Sequence, residues 1–284
     1  MADPKFAMIT GASTGIGYAT TQFLIAKGWS VFAGVRKDAD AERLSSAFGE
    51  AVTPVLCDVT DDAQVKAAGQ SVREALGDKV LSGLVNNAGV AVAGPLLHLP
   101  VEDMQRQLEI NVTGQLRATQ AFAPLMGAGE TRQGAPGRIV NISSVAGLSA
   151  MPLVTPYACS KHALEAYTQG LRRELLMYGI DVVAINPGPI ATPIWDKAEE
   201  LDPEQYKHTD YAPAIEGLLG FMVKRGRKGL PPVKVAEAVY AGLTDPKPKL
   251  NTILTPEPFQ QWLMSILPSR MVDRMIGKRL GLVK

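Results

Sequence analysis

Seven short runs of β-branched and other apolar residues punctuate the chain: Phe6–Thr10, Ser30–Val35, Val52–Cys57, Gly83–Asn86, Arg138–Ser143, Asp181–Asn186 and Asn251–Leu254. Within each run the apolar residues follow one another almost without interruption. A strand covered on both faces has that character, whereas a strand with one wet face alternates apolar with polar. Between the runs lie windows in which apolar residues recur every three or four positions, near 15–27, 39–48, 61–76, 102–125, 157–178 and 233–243. Leu164, Leu171 and Leu175 illustrate the spacing, which is that of a helix burying one stripe. Strand followed by helix, repeated, predicts an α/β doubly wound fold: a seven-stranded parallel sheet with helices on both faces. In such folds ligands lie at the carboxyl ends of the strands. The chain shows no internal repeat and no low-complexity tract.

Three stretches break the pattern. Gly127–Gly137 carries four glycines and a proline and reads as a surface loop. Residues 192–232 are rich in proline, helix-poor in their first half and directly follow a strand's carboxyl end, which is the place for a substrate lid. In 258–280, Phe259, Trp262, Leu263, Ile266, Met271, Met275 and Ile276 stand at helical spacing, interrupted by Pro268. This segment reads as a terminal helix pair packed on the core; cover over an apolar pocket or contact with a membrane surface are the alternatives. The expected organisation is one domain over 1–284, with a lid at about 192–232 and a helical extension at about 256–284.

Composition narrows the class. Of 284 residues, 46% are hydrophobic and 20% charged, a mixture that can build a packed core and excludes a disordered chain. A formal net charge of +1 offers no global field to nucleic acid. A strand-like Phe6–Ile9 directly after Met-Ala-Asp-Pro leaves no room for a signal peptide, and no apolar run reaches a membrane span, so a cytoplasmic enzyme is expected. Cys57 and Cys159 form no CxxC or metal-type spacing and read as free thiols; no metal is expected.

The first strand runs straight into Thr10-Gly-Ala-Ser-Thr-Gly-Ile-Gly17, which opens a helix. Gly11 permits a tight turn, Gly15 lets backbone approach a pyrophosphate, and Gly17 lets the helix close on the strand, so phosphate meets helix amides and dipole. The second strand ends Gly34-Val35-Arg36-Lys37, without the acid that usually meets a free ribose 2′-hydroxyl. Arg36 and Lys37 suit a 2′-phosphate instead, so NADP(H) is expected over NAD(H), although Asp38 lies close by. Asp58, past the third strand, is either an adenine-amino acceptor or a turn residue before the helix near Asp61.

The chemistry concentrates in Ser143-Ser144 and Tyr157-Ala-Cys-Ser-Lys161. Residues four apart share a helix face, so Tyr157 and Lys161 project together. An ammonium about 4 Å from a phenol, at an effective dielectric of about 20, favours the phenolate by about 4 kcal/mol. That is roughly three pKa units, enough to bring a phenol near working pH. The strand Asn141-Ile-Ser-Ser144 aims a serine hydroxyl at the same sheet edge, either Ser144 or Ser143.

Taken in order, Thr10-Gly-x-x-x-Gly-x-Gly17, Asn86-Asn-Ala-Gly89, Asn111, Ser144, Tyr157-x-x-x-Lys161 and Pro187-Gly-x-x-x-Thr192 make the chain resemble a short-chain dehydrogenase/reductase over roughly residues 5–255. The glycine spacing is similar to that of the branch of roughly 250 residues. Softer features, Val31-Phe-Ala-Gly-Val-Arg-Lys37 and the extension past 255, resemble retinol and hydroxysteroid dehydrogenases. The resemblance implies a Rossmann fold and hydride exchange between a nicotinamide cofactor and an alcohol or ketone. It implies that Tyr157 is the general acid for reduction, that Lys161 holds the nicotinamide ribose and lowers the tyrosine pKa, and that Ser144 stabilises the developing oxyanion. Asn111 would kink its helix and hold a relay water. Cofactor contacts implied are Gly11, Ser13, Thr14, Gly15, Ile16 and Gly17 at the phosphates, Arg36, Lys37, Asp58 and Val59 toward the adenosine, and Asn87, Ala88 and Gly89 closing over it. Pro187, Gly188, Ile190 and Thr192 would position the nicotinamide, with Tyr157 and Lys161 at its ribose.

The expected pocket wall is Val145, Leu148, Met151, Leu153, Ile194, Trp195, Leu218, Leu219 and Phe221, mostly apolar. A hydrophobic ketone or secondary alcohol, of steroid, retinoid or aryl type, is therefore the expected substrate. Lys224-Arg-Gly-Arg-Lys228 reads as a solvated basic face, with an anionic substrate or lipid headgroup as the alternative. A cofactor-binding regulator without turnover is the rival class, but it usually lacks the tyrosine or the lysine, and both stand here. Helices near 102–125 and 157–178 form the family's usual subunit contact, so the resemblance implies a homodimer or homotetramer.

Overall fold

The computed structural model describes residues 4–192, 203–227 and 229–283. Seven parallel strands, β1 (Phe6–Ile9), β2 (Ser30–Val35), β3 (Val52–Leu56), β4 (Gly83–Asn86), β5 (Arg138–Ile142), β6 (Asp181–Pro187) and β7 (Asn251–Leu254), form one sheet. Its order is β3-β2-β1-β4-β5-β6-β7. The chain builds outward from β1 in one direction and then returns to build β4 on its other side. Ala7 pairs with both Val31 and Gly83. That reversal opens a crevice at the strands' carboxyl ends, where such folds bind dinucleotides.

Successive residues of the central strands face opposite sides. Ile9, Val85, Val140 and Val183 bury against helices α1 (Gly15–Ala26) and α2 (Asp38–Phe48), contributing Leu24 and Leu44, and against Val235 and Val239. Their neighbours Met8, Leu84, Ile139 and Val182 bury with Val65 and Val72 of α3 (Asp62–Leu76) and with Ala118 and Phe122. Two cores explain why these strands read as unbroken apolar runs. The edges differ: on β3 Leu56 is 47% exposed and on β7 Ile253 is 48% exposed, because an outermost strand is covered from fewer directions.

The expected helix at 102–125 is divided. Helix α4 (Val101–Leu108) passes through a wider π turn at Glu109–Thr113 into α5 (Gly114–Phe122), and a 3₁₀ turn at Ala123–Met126 ends it. Asn111 sits in the π turn. Helix α6 (Thr155–Glu174) carries the Tyr157 segment. In the 192–232 stretch, α7 (Ala212–Arg227) follows a short turn at Pro203–Tyr206. Ile190 bridges to Leu230, and Ala191 N–H donates to the Leu230 carbonyl at 3.0 Å, so the two ends of this excursion are pinned side by side. Ala214, Ile215 and Leu218 of α7 bury with Tyr206 and Leu153 in a third, smaller core. Leu153 adopts φ 66°, a left-handed conformation unusual for a side chain with Cβ, and its carbonyl accepts from Gly94 N–H at 2.7 Å.

Helix α8 (Pro232–Thr244) covers the sheet, and α9 (Pro258–Ile266) and α10 (Ser269–Arg279) follow β7. The reading of 258–280 as a pair packed on the core requires correction: Phe259 is 69% exposed, Ile266 57% and Met271 51%. Among the described residues no helix is long and apolar enough to cross a membrane. Of the expected pocket wall, Ile194 and Trp195 lie outside the described residues, as do the side chains of Leu219, Phe221 and the basic segment 224–228, Gly226 apart.

Candidate active site

The carboxyl ends of six strands deliver the candidate residues to one edge of the sheet. The turn from β1 into α1 places Gly11, Ser13, Thr14, Gly15, Ile16 and Gly17. Gly11 and Gly15 hold φ 64° and 57°, where side chains are disfavoured. At Gly17 a Cβ would collide with the Gly11 carbonyl and come within 2.6 Å of Asn87 Nδ2. Thr14, the N-cap of α1, makes no side-chain cap and the first turn holds no acid. No carboxylate competes for the free amides there, which suits a phosphate. The cradle therefore fits the pyrophosphate of a dinucleotide.

Thr10 ties this loop to the next. Its buried Oγ1 accepts from Asn87 N–H and Ala88 N–H, each at 3.0 Å. Asn87 Nδ2 returns to the Thr10 and Gly11 carbonyls at 2.9 and 3.0 Å. The segment beyond is held by three buried amides spaced four apart, Gln107, Asn111 and Gln115. Gln115 Nε2 donates to the Ala88 carbonyl at 2.6 Å. Asn111 accepts from Val90 N–H at 2.9 Å and donates to the Val90 carbonyl at 3.0 Å, with its Oδ1 close against Gly89. Gln107 accepts from Val92 N–H at 2.6 Å. Asn111 Nδ2 also donates to Ser160 Oγ at 3.0 Å, and Ser160 in turn donates to the Tyr157 carbonyl at 2.7 Å. The side chain of Asn111 is thus engaged in joining the Val90 loop to α6.

Arg36 and Lys37 stand exposed where β2 ends, Lys37 as N-cap of α2. Arg43, which no sequence motif singled out, donates to the Ser13 carbonyl at 2.6 Å and lies 5.8 Å from the Tyr18 ring. Asp58 Oδ1 accepts from Thr60 N–H at 2.9 Å and Thr60 Oγ1 at 2.8 Å, a turn-former's role, while Asp61 caps α3. Val59 is buried against Gly114.

Tyr157 and Lys161 lie one turn apart on α6, beside Ser144 at the end of β5. The buried Tyr157 hydroxyl faces Ser144, which draws its pKa downward. Ser144 Oγ also donates to the Pro187 carbonyl at 3.2 Å and accepts from Ala146 N–H at 3.1 Å, whereas Ser143 Oγ is buried against Gly147 without a hydrogen-bond partner. Of the two serines, Ser144 is the one that meets the tyrosine. Lys161 Nζ donates to the Ile142 carbonyl at 2.8 Å and stands 5.6 Å from the centre of the Tyr157 ring. The expected downward pull of the ammonium on Tyr157 does not dominate here. Burial holds the phenol above its ordinary value, and Ser144 pulls it only part of the way back. Burial also lowers Lys161 to about 8, against an upward pull from Glu165.

Glu165, one turn beyond Lys161, is a buried carboxylate that the sequence patterns did not single out. It accepts from Asn186 Nδ2 at 2.6 Å and from Asn251 Nδ2 at 3.1 Å, and Asn186 also donates to the Ser144 carbonyl at 3.2 Å. Past β6, Gly188 abuts Thr255 and Leu254. Thr192 approaches Gly15, with its Cβ 3.4 Å from where a side chain there would begin. The excursion at 192–232 therefore departs directly over the glycine turn.

Residues 5–202 match the family model described as short chain dehydrogenase. The chain belongs to the short-chain dehydrogenase family. Among its relatives is an NADPH-dependent 3-dehydrocapnine reductase of Ornithobacterium rhinotracheale, 38% identical over 277 residues that make up 97% of both chains. A 17-beta-hydroxysteroid dehydrogenase type 6 of Bos taurus is 35% identical over 72% of this chain and 63% of its own. In three dimensions the chain is similar to a short chain dehydrogenase/reductase of Burkholderia phymatum solved in complex with NAD (TM-score 0.79, 25% identity, 96% of this chain and 95% of that one). This short-chain dehydrogenase is an NAD(P)-dependent oxidoreductase acting on CH–OH or carbonyl groups.

Proposed function

We propose that the protein is an NADP(H)-dependent reductase that converts an apolar ketone, of steroid, retinoid or aryl type, to a secondary alcohol. The observation that carries this reading is the Tyr157–Ser144 pair, with a phenol that burial keeps protonated, set beside Lys161 at the carboxyl end of β5. A protonated phenol is the form that gives a proton to a carbonyl oxygen as negative charge develops there. Ser144, its hydroxyl turned from the Pro187 carbonyl to the substrate, would add a second donor to the same oxygen, stabilising that charge. When bound, the nicotinamide supplies the hydride to the carbonyl carbon. Lys161 would hold the nicotinamide ribose, Asn111, which fixes the Val90 loop, would hold the relay water, and Pro187, Gly188, Ile190 and Thr192 would frame the nicotinamide.

Arg36, Lys37 and Arg43 at the ribose end support a 2′-phosphate, as does the NADPH dependence in the name of the Ornithobacterium relative. The apolar cluster of Leu153, Leu218 and Tyr206 supports an apolar substrate. Leu116 on α5 and Leu176 and Met177 after α6 are 41%, 69% and 77% exposed, which supports a homodimer or homotetramer through these helices. The exposed free thiol of Cys159 suits a reducing, cytoplasmic setting.

The test is a fluorescence titration with NADPH and NADH, followed by a panel of ketones monitored at the nicotinamide absorbance. Tighter NADPH binding and turnover of bulky apolar ketones are expected. NADH preference would move the ribose contact to Asp38, and binding without turnover across the panel would overturn the reductase reading.

A further inference from the structure

The segment after β7 exposes an unusual surface. Helix α9 contains no charged residue, and its Phe259, Trp262 and Ile266, spaced i, i+3, i+7, share one outward face. They are 69%, 55% and 57% exposed, with the Phe259 and Trp262 ring centres 5.8 Å apart. Pro268 turns the chain into α10, where Arg270, Arg274 and Lys278 recur every four residues beside a second row, Met271 and Met275. These five residues and Pro268 line one open groove. Gly277 is covered by Val283 of the following tail, and Leu280, just past α10, packs against the small core of Leu153, Ile215 and Leu218.

We propose that α9 and α10 form a docking surface for an anionic lipid bilayer. An aromatic and aliphatic face free of charge, followed by a cationic stripe flanked by methionines, is the pattern of a helix lying in the interface with its basic residues at the headgroups. A second copy of the chain is a poorer occupant. Twofold pairing through α10 would set the Arg270, Arg274 and Lys278 stripe against its own like charges, and the exposed Leu116 of α5 and Leu176 just after α6 offer other apolar surface for that purpose. Leu280 joins this surface to the small core of Leu153, Ile215 and Leu218.

The experiment is co-sedimentation of the full chain with vesicles of pure phosphatidylcholine and of equal parts phosphatidylcholine and phosphatidylglycerol. Binding is expected to the mixed vesicles and to fall steeply with salt. Two variants, Trp262→Asp with Ile266→Asp and Arg270→Glu with Arg274→Glu, should each weaken it by about tenfold or more. Both should keep the wild-type melting temperature and turnover of a water-soluble ketone. No binding to either vesicle, equal binding to both, or variants that bind like wild type but fall to a lower oligomeric state would overturn the proposal. Sedimentation requires no turnover, so a failed reductase assay and a failed bilayer assay are told apart.

Discussion

Replacing Thr10 by valine keeps the shape of a fully buried side chain and removes one oxygen. That oxygen accepts from the backbone N–H groups of Asn87 and Ala88, both at 3.0 Å. Valine offers them nothing, and Gly11 and Ala88 pack too closely for water to substitute easily. Each orphaned donor costs about 1–3 kcal/mol, and both lie in partly buried backbone, so about 2–4 kcal/mol in total is expected. For a chain of this length each kcal/mol moves the melting temperature by about 2 °C, giving a drop of about 4–8 °C. The same loss frees the turn that cradles phosphate, so cofactor affinity should fall with it. Thermal unfolding by circular dichroism, with and without saturating NADPH, measures both. Thr10→Ser restores the oxygen and should recover most of the stability. A Thr10→Val protein that melts within about 1 °C of wild type would show that the turn does not depend on this hydroxyl.

Three further outcomes are expected. Arg36→Ala should weaken NADPH by about tenfold to a hundredfold, the worth of one charge-assisted contact, and leave NADH nearly unchanged in the fluorescence titration; equal losses for both would remove the 2′-phosphate assignment. Lys161 loses its charge as pH rises through about 8, and Glu165 resists that loss, so Glu165→Gln should move the alkaline limb of the rate profile to lower pH and change little on its acidic side. A uniform loss at every pH would mean that Glu165 only holds Asn186 and Asn251 in place. Glu130, held near 2 instead of 4.5 first by its hydrogen bond to Arg73 and then by Arg132, contributes stability that is present above about 4.5 and disappears as pH falls toward 2. Glu130→Gln should be less stable than wild type at neutral pH, with a gap that closes on acidification in urea titrations; an unchanged gap at low pH would exclude the ion pair as its source.

What the sequence made legible follows from where each residue is buried. The inner strands are covered on both faces, so Met8-Ile9, Leu84-Val85 and Val182-Val183 read as unbroken apolar pairs. Edge strands read the same way, yet Leu56 and Ile253 stand half exposed, since sequence runs carry no record of neighbours that are missing. The phosphate turn was legible because glycine answers a backbone demand, visible at Gly11 and Gly15. The Tyr157–Lys161 spacing located both residues on one helix face but did not tell where a long lysine side chain ends, and it ends on the Ile142 carbonyl. The π turn left no mark on apolar spacing. A signal lay instead in Gln107, Asn111 and Gln115, polar residues every four positions on a helix, all turned inward. Arg43 and Glu165 have no motif at all; only the fold brings the first to Ser13 and the second to Asn186.

The central claim is that the Tyr157 phenol gives the proton that completes ketone reduction, and single-turnover NADPH oxidation by wild type and Tyr157→Phe tests it most directly. The account expects the rate to fall by about a hundredfold to ten-thousandfold, the usual worth of a positioned general acid. NADPH affinity should stay nearly as in wild type, because the ring remains and only its hydroxyl is lost. A Tyr157→Phe enzyme that reduces the same ketone within about tenfold of the wild-type rate would contradict the account and assign the proton to another group.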